Sequence, residues 1–280
     1  MYANALAKDV NTARDASPQP QSLTYEEYIK PTVLRSLQDC ISDSEDEMAF
    51  IVVTQITELF FSLLVHEWSL AKTAFLSGRL DHAQRCLRRS LNALKSLLAS
   101  WEPIARLSPH EFGALRKSFQ TASGADSHAY REMEVLLGKR NAFLAAKFQK
   151  EPPHGSKFSE FYDSPSLYDA ALLCLAEQGF AVPDEVLHRD FTRQHEPSEQ
   201  IAKLWAHIYS FPQDHALFRI AEQLTDIAEA FRQWNFHHIA ITLRLIGEKV
   251  GSAGTSGVQY LINAARDPLF PEIWEARTHV

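Results

Sequence analysis

The sequence predicts an all-α fold, a bundle of long antiparallel helices. Apolar residues recur every three to four positions through several long segments, as expected for helices that bury one face. The sequence shows neither a convincing apolar–polar alternation of the kind found in strands nor an internal repeat. With 280 residues and 45% hydrophobic side chains, the chain can bury a sizeable core.

Helix start signals place the first helices along the chain. The acidic segment 44–47 precedes an apolar run with helical spacing over 48–64, which predicts a long helix buried on most sides. A second long helix is predicted over 81–101, where leucines recur on one face. A capping box with proline at the first helical position predicts a further helix over 108–119.

The remaining chain continues the helical pattern. Residues 121–126 are predicted to form a loop before another helix, and a Pro-Pro and a His-Gly pair indicate a surface excursion over 150–158. Helical spacing resumes over 164–178 and 198–209. The longest pair of helices is predicted over 215–250, where a glycine-rich segment ends it.

Charge and cysteine content narrow the class of protein. Lys and Arg total 28 against 35 Asp and Glu, a net charge of −7, so the chain offers no basic field for phosphates and nucleic acid is not an expected partner. The three cysteines, Cys40, Cys86 and Cys174, lack paired spacing and are expected to be buried, reduced thiols. This predicts a cytoplasmic protein.

The N-terminal segment does not have the composition of a signal peptide. Lys8 and Asp9 interrupt the region where an unbroken apolar stretch would be needed, and no later segment is expected to reach the length of a membrane span. We therefore expect no membrane partner. Residues 1–21 are rich in Ala, Asp, Ser and Pro and predict a mobile tail, followed by a single all-α domain over 22–280.

One histidine near the C-terminus is a candidate metal ligand. His238 shares a predicted helix face with Trp234, Ile241 and Leu245. On spacing alone, the ordinary interpretation is a buried core histidine. An imidazole on an apolar helix is also typical of the axial ligand of a heme iron, so the spacing leaves both roles open.

Several short motifs occur in a fixed order. They are Leu-Thr-Tyr-x-x-Tyr-Ile at 23–29, Asp-Glu-Met-x-Phe-Ile at 46–51, Glu-Leu-Phe at 58–60 with His-Glu at 66–67, Ser-Pro at 108–109 with Arg at 116, Ala-Ser-Gly at 122–124, Tyr-Arg at 130–131, Trp-x-x-x-His at 234–238, and a glycine-rich loop at 247–257 before Tyr-Leu at 260–261. In this order they resemble the tryptophan 2,3-dioxygenase family. The resemblance is weakest over about 150–218.

The resemblance implies a heme-dependent oxygenase. His238 would be the axial ligand of heme b, with ferrous iron in the active form and O2 as co-substrate. Arg116 would bind the carboxylate of L-tryptophan or a substituted tryptophan through two parallel hydrogen bonds, although an arginine on a helix is more often simply solvated. Ser252 would contact the ammonium and carboxylate groups of the same substrate.

The resemblance also implies the walls of the site. The side chains expected around the substrate are Tyr25, Tyr28, Ile29, Phe50, Phe112 and Gly124. Those expected against the heme are Trp101, Ser123 and Phe50, although a tryptophan such as Trp101 is more often plain core. In the family the two tyrosines come from a neighbouring subunit, so the resemblance implies a homotetramer in which N-terminal residues enter a neighbour's site.

The oxygen-binding side departs from the family pattern. Thr54 stands where the family has a histidine that hydrogen-bonds the indole N–H, and we assign Thr54 to the catalytic residues with Arg116 and Ser252. A threonine cannot act as a base near neutral pH, although related indoleamine dioxygenases work with a serine at this place. Alternatively, Thr54 fills space and bonds a helix carbonyl.

Further departures surround the same cavity. Phe112 and Phe60 replace other aromatic residues, and Ala125-Asp126 replaces a Phe-Gln pair. Because Ala125 opens volume beside the expected substrate loop, a larger or substituted indole could fit.

Several functions are compatible with these residues. The resemblance implies oxygen insertion at C2–C3 of the indole, with an N-formylkynurenine type product as the default. The alternative is insertion of a single oxygen atom, giving a 2-oxindole or hydroxylated product in a natural-product pathway, which requires an external reductant. A non-catalytic heme sensor or store, and a helical scaffold without heme, are further alternatives.

Overall fold

A computed structural model describes residues 22–251, 254 and 256–280, so the predicted tail lies outside the described residues. The described residues form helices and no strand, which confirms the all-α prediction. The helices are α1 (Tyr25–Ile29), α2 (Pro31–Leu34), α3 (Glu47–Leu76), α4 (Leu80–Ser100), α5 (Glu102–Ala105), α6 (Pro109–Ser118), α7 (His128–Leu136), α8 (Ala142–Phe148), α9 (Gly155–Tyr162), α10 (Leu167–Glu177), α11 (Asp184–Leu187), α12 (Glu199–Tyr209), α13 (Ala216–Ile246), α14 (Val258–Arg266) and α15 (Pro271–Ala276), with a 3-10 turn at Gly124–Asp126.

The chain divides into two units, Met1–Asp39 and Cys40–Val280. In the first unit, α1 begins with a capping box in which the Thr24 hydroxyl accepts a hydrogen bond from the Glu27 amide, while the Glu27 carboxylate accepts one from the Thr24 amide. Lys30, in the left-handed conformation with φ 53°, ends α1 and allows α2 to begin at once.

The second unit is built on two helices of about eight turns each. α3 packs against α4, α7 and α10, and α13 packs against α4 and α14. The pair of helices predicted over 215–250 is instead one continuous helix, because no glycine or proline interrupts the sequence before Gly247, whose φ is 60°. The short helices α5, α8, α9, α11, α14 and α15 were not predicted individually.

Two apolar clusters fill this unit. The large cluster lies between α3, α4, α10, α12 and α13, and its largest members, such as Trp68, Leu87 and Trp205, are completely buried. The small cluster joins the N-terminal end of α3 to α5, α6 and the C-terminal half of α13. Its buried members are Val53, Ile104, Ala105, Leu107, Leu115, Ile241 and Leu245, with Phe50, Trp101, Phe112, Phe119 and Ile246 partly buried against them.

α3 is long and apolar enough to cross a membrane, with a mean hydropathy of 2.0 over its most apolar 18 residues. The expectation that no segment reaches this length is therefore wrong. Its C-terminal half is a core helix, with Leu64, Trp68 and Ala71 fully buried and Glu67 paired with Arg89 at 2.7 Å. A single helix that passes this test of length and composition is weak evidence for a membrane protein.

The cysteines match the expectation in part. All three are free thiols, and Cys86 and Cys174 are buried. Cys40 is exposed, so the prediction of burial is wrong there, because Cys40 lies in an irregular segment between α2 and α3 instead of on the inner face of a helix.

Candidate functional site

His238 lies on the C-terminal half of α13, beside two tryptophans. Its ring centroid is 4.8 Å from that of Trp101 and 5.4 Å from that of Trp234. Desolvation by burial, with a smaller contribution from the neighbouring His237, lowers the pKa of His238 from 6.5 to about 4. The imidazole is therefore neutral near pH 7, the form that binds a metal.

Hydrogen bonds fix the first of these tryptophans. Trp101 Nε1 donates to Thr57 Oγ1 at 3.0 Å, and Thr57 in turn donates to the Val53 carbonyl at 2.8 Å. Thr57 was not among the predicted site residues, although it lies three positions after Thr54 and so near it around the helix. The Trp101 ring is thereby attached to α3.

Three phenylalanines from α3, α6 and the residue after α6 pack against one another. Phe50 stacks on Phe119 with ring centroids 4.7 Å apart, and Phe112 lies 5.9 Å from Phe50. Phe50 and Phe112 were predicted to line the substrate pocket. Phe119 was not, because it follows the last turn of α6 and reaches Phe50 only through the tertiary fold.

Thr54 lies one turn after Phe50 on α3 and is partly buried. Its hydroxyl donates a hydrogen bond to the Phe50 carbonyl, as the second interpretation of this residue expected. Because the proton is used in that bond, the hydroxyl oxygen is left as an acceptor.

Arg116 lies at the end of α6, where one of its Nη atoms donates to the Val250 carbonyl. Val250 lies in the first part of the glycine-rich loop, so the guanidinium contacts the backbone of that loop. Ser252, predicted to contact the substrate, lies outside the described residues. The predicted capping box of α6 is confirmed, with Ser108 and Glu111 each bonding the other's backbone amide.

The segment around Ser123 and Gly124 forms a 3-10 turn rather than an open loop. The Ser123 hydroxyl accepts from the Ala125 amide at 3.3 Å and caps the turn. A Cβ added at Gly124 would meet no atom within 4 Å, so packing does not require glycine there.

The three residues predicted from the N-terminal motif belong to the first unit. Tyr25, Tyr28 and Ile29 lie on or at the end of α1 and are 72%, 72% and 46% exposed. The largely exposed rings are available for contacts outside their own helix.

The residues around His238 fit a heme. The described residues contain no group of three or more His, Cys, Asp or Glu arranged to hold a bare metal ion. A heme iron needs only one protein ligand, because the porphyrin supplies four nitrogens. Neither ring nitrogen of His238 is hydrogen-bonded within the described part of the chain, and Trp234 Nε1 is a buried donor without a partner there.

Comparison with known proteins agrees with this geometry. The sequence profile of the tryptophan 2,3-dioxygenase family matches residues 9–150 and 203–280. The chain belongs to this family. The interval without a match, 151–202, falls where the motif resemblance is weakest. The chain is accordingly a heme-dependent oxidoreductase.

Individual relatives cover almost the whole chain. The chain is 36% identical over 261 residues to a tryptophan 2,3-dioxygenase of Erythrobacter litoralis, covering 93% of this chain and 99% of the relative. It is 36% identical to that of Bordetella pertussis, over 92% and 91% of the two chains, and 34% identical to that of Bacillus thuringiensis, over 92% and 93%. The family membership therefore rests on matches over more than nine-tenths of the chain.

Proposed function

We propose that the protein inserts oxygen from O2 at C2–C3 of the indole of L-tryptophan or a substituted tryptophan, with an N-formylkynurenine type product as the default. The observation that carries this proposal is the neutral, unpartnered imidazole of His238, which packs on Trp101 of the small apolar cluster that also contains Phe50 and Phe112. Heme b bound through His238 would supply the ferrous iron that activates O2.

The chain's own residues would bind and orient the amino acid. Arg116 would exchange its bond to the Val250 carbonyl for two parallel hydrogen bonds to the substrate carboxylate. Ser252, on the same loop as Val250, would supply a hydroxyl to the ammonium and carboxylate groups. Substrate binding would then be coupled to the position of the glycine-rich loop.

The aromatic wall would hold the indole. Phe50 and Phe112 would contact the ring, Ser123 and Gly124 would contact the heme edge and the substrate, and Trp101 would pack on the heme. Thr54 would accept a hydrogen bond from the indole N–H without removing its proton. Oxygen would therefore add to a neutral indole.

The N-terminal residues would complete a neighbour's site. Tyr25, Tyr28 and Ile29 are exposed, as an assembly in which α1 enters the site of another subunit requires. We propose a homotetramer, which native mass spectrometry would test. A monomer at micromolar concentration would overturn this assembly. The free thiols fit a reducing, cytoplasmic environment.

The test of substrate binding is the shift of the ferrous heme spectrum on titration with L-tryptophan. Arg116→Lys keeps the charge but loses the planar pair of donors, so the affinity should fall by about tenfold or more. Arg106→Lys, at an exposed arginine that ends α5, is the matched control and should leave the affinity unchanged. A wild-type protein without any shift would overturn the proposed function.

A second candidate is the insertion of one oxygen atom, giving a 2-oxindole or hydroxylated product. Thr54, which cannot act as a base near neutral pH, favours it, and an external reductant would be required. Mass spectrometry of the product formed under labelled O2 distinguishes the two reactions: two labelled atoms support dioxygenation and one supports this candidate. A substrate panel in which plain L-tryptophan is clearly best would overturn the preference for substituted indoles.

A further inference from the structure

Arg131, on α7, connects two segments of the candidate site. Its Nη2 atom donates to the Ala125 carbonyl and to the Tyr260 hydroxyl, both at 3.1 Å. Its Nη1 atom lies 2.6 Å from a carboxylate oxygen of Glu134. The side chain is only 5% exposed, so the guanidinium is a buried junction between a turn, a helix end and a carboxylate.

Burial makes this junction rigid. A buried cation is costly unless it is paired and hydrogen-bonded, and Glu134, itself 12% exposed, supplies the counter-charge. A planar guanidinium offers its donors in a fixed fork, so the two N–H groups of Nη2 hold the Ala125 carbonyl and the Tyr260 hydroxyl at a fixed separation. Loss of one acceptor would leave a buried N–H unsatisfied.

The two acceptors lead directly to the proposed substrate contacts. Ala125 belongs to the turn that begins at Ser123 and Gly124. Tyr260 lies in the first turn of α14, which begins at the end of the glycine-rich loop. The 3-10 turn at Gly124–Asp126 is also attached to α3, because the hydroxyl of Ser127, the residue that ends this turn, donates to Glu58 at 3.0 Å.

We propose that Arg131 is a positioning residue of the oxygenase, which sets the spacing between the Ser123–Asp126 segment and the start of α14, directly after the glycine-rich loop. Arg131 contacts neither substrate nor heme in this role. The inference rests on the proposed function of those two segments. In this proposal the Tyr260 hydroxyl accepts the hydrogen bond from Arg131 that connects α14 to the 3-10 turn at Gly124–Asp126.

The sharpest test is Tyr260→Phe, which removes one hydroxyl and keeps the ring, together with Arg131→Lys. In the heme-loaded enzyme, both variants should raise the KM for L-tryptophan by about tenfold while kcat changes by less than about threefold. The reason is that both changes weaken the positioning of the segments that bind the substrate but leave the groups that react in place. Amide hydrogen exchange should increase in peptides covering 122–127 and 256–262.

Arg189→Lys is the matched control. Arg189 is also a buried arginine, 11% exposed and bound to Asp169 at 2.8 Å, but its partners lie on α10 and in the segment after α11. This variant should lower the Tm without changing the KM or the exchange of the two site segments.

The outcomes separate this inference from the proposed function. If the wild type oxidises tryptophan and Tyr260→Phe leaves both KM and exchange unchanged, the positioning role is wrong. If the wild type neither binds nor oxidises tryptophan, the proposed function fails, and the role of Arg131 toward substrate fails with it. In that case, unchanged exchange in Tyr260→Phe would also exclude a mechanical link between the two segments.

Discussion

The large and small apolar clusters are built partly from the same helices, yet they differ in burial. α3 and α13 contribute to both. In the large cluster the aromatic side chains of Trp68, Phe75 and Trp205 are at most 2% exposed. In the small cluster the aromatic side chains are only partly buried, and one of them, Trp101, packs on His238, whose imidazole is neutral and unpaired within the described chain.

This difference is what we expect if the large cluster is a structural core and the small cluster lines the proposed site. Completely buried side chains gain the full hydrophobic free energy from one another. Partly buried aromatic rings with a few polar groups among them are typical of the lining of a small-molecule site. Because the same rigid helices carry both clusters, the large cluster holds the small one in place.

The largest expected effect is on heme binding. His238→Ala should abolish the Soret absorbance of the reconstituted protein, because a methyl group cannot bind the iron in place of the imidazole. His237→Ala is the matched control: this neighbouring imidazole lies 3.8 Å from Glu102, and its removal should leave heme content unchanged. Equal heme content in both variants would assign the iron to another ligand.

The next effect distinguishes the two clusters by heme binding, although both contribute to stability. Leu64 in the large cluster and Leu115 in the small one are both fully buried. Either change to alanine should lower the free energy of unfolding by about 2–5 kcal/mol, as measured by denaturant titration of the heme-free protein. Only Leu115→Ala should also weaken heme binding in a titration. Equal heme affinity in the two variants would contradict the division of roles.

The sequence predicts the parts of the site that depend on spacing along one helix. Trp234 and His238 are four residues apart on α13, and Phe50 and Thr54 are four residues apart on α3, so their shared faces follow from helical periodicity. The carbonyl bond of Thr54 is a local property of the same kind.

Contacts between distant segments were not predictable in this way. Arg131 and Tyr260 are 129 positions apart, and no periodicity connects them. Phe119 stacks on Phe50 only because α6 packs near the start of α3. The four-residue helices α5 and α11 are too short for an apolar period to be visible.

A smaller effect concerns the hydroxyl of Thr54 in the small cluster. Thr54→Val should raise the KM for L-tryptophan several-fold, because the substrate loses about one hydrogen bond. The kcat should stay within about threefold, because the hydroxyl accepts a hydrogen bond but removes no proton. The KM for 1-methyl-tryptophan, which lacks the N–H, should not change. Thr54→Ser retains the hydroxyl and is the control. A loss of kcat above about a hundredfold would show that the hydroxyl takes part in the chemistry.

The smallest expected effect lies at Glu58, between the two clusters on α3. Burial raises the pKa of this carboxyl, and the hydrogen bond from Ser127 and the nearby His128 only partly oppose the shift. With a folded-state pKa above the unfolded one, the folded protein binds more protons, so this group lowers stability as the pH rises through that interval. Glu58→Gln keeps an acceptor for Ser127 and should raise the Tm near neutral pH.

The pH dependence of this gain is its decisive feature. The gain should decrease as the pH falls through the interval between the two pKa values and vanish below the unfolded-state pKa, because Glu58 is then protonated in both states and neutral like glutamine. Glu199→Gln on α12 is a control of opposite sign, since the hydrogen bond and charge of Lys203 lower the pKa of the Glu199 carboxyl. That variant should lose a little stability near neutral pH. If the gain in Tm for Glu58→Gln is the same at acidic and neutral pH, a difference in packing, and not the buried charge, causes the difference in stability between the wild type and this variant.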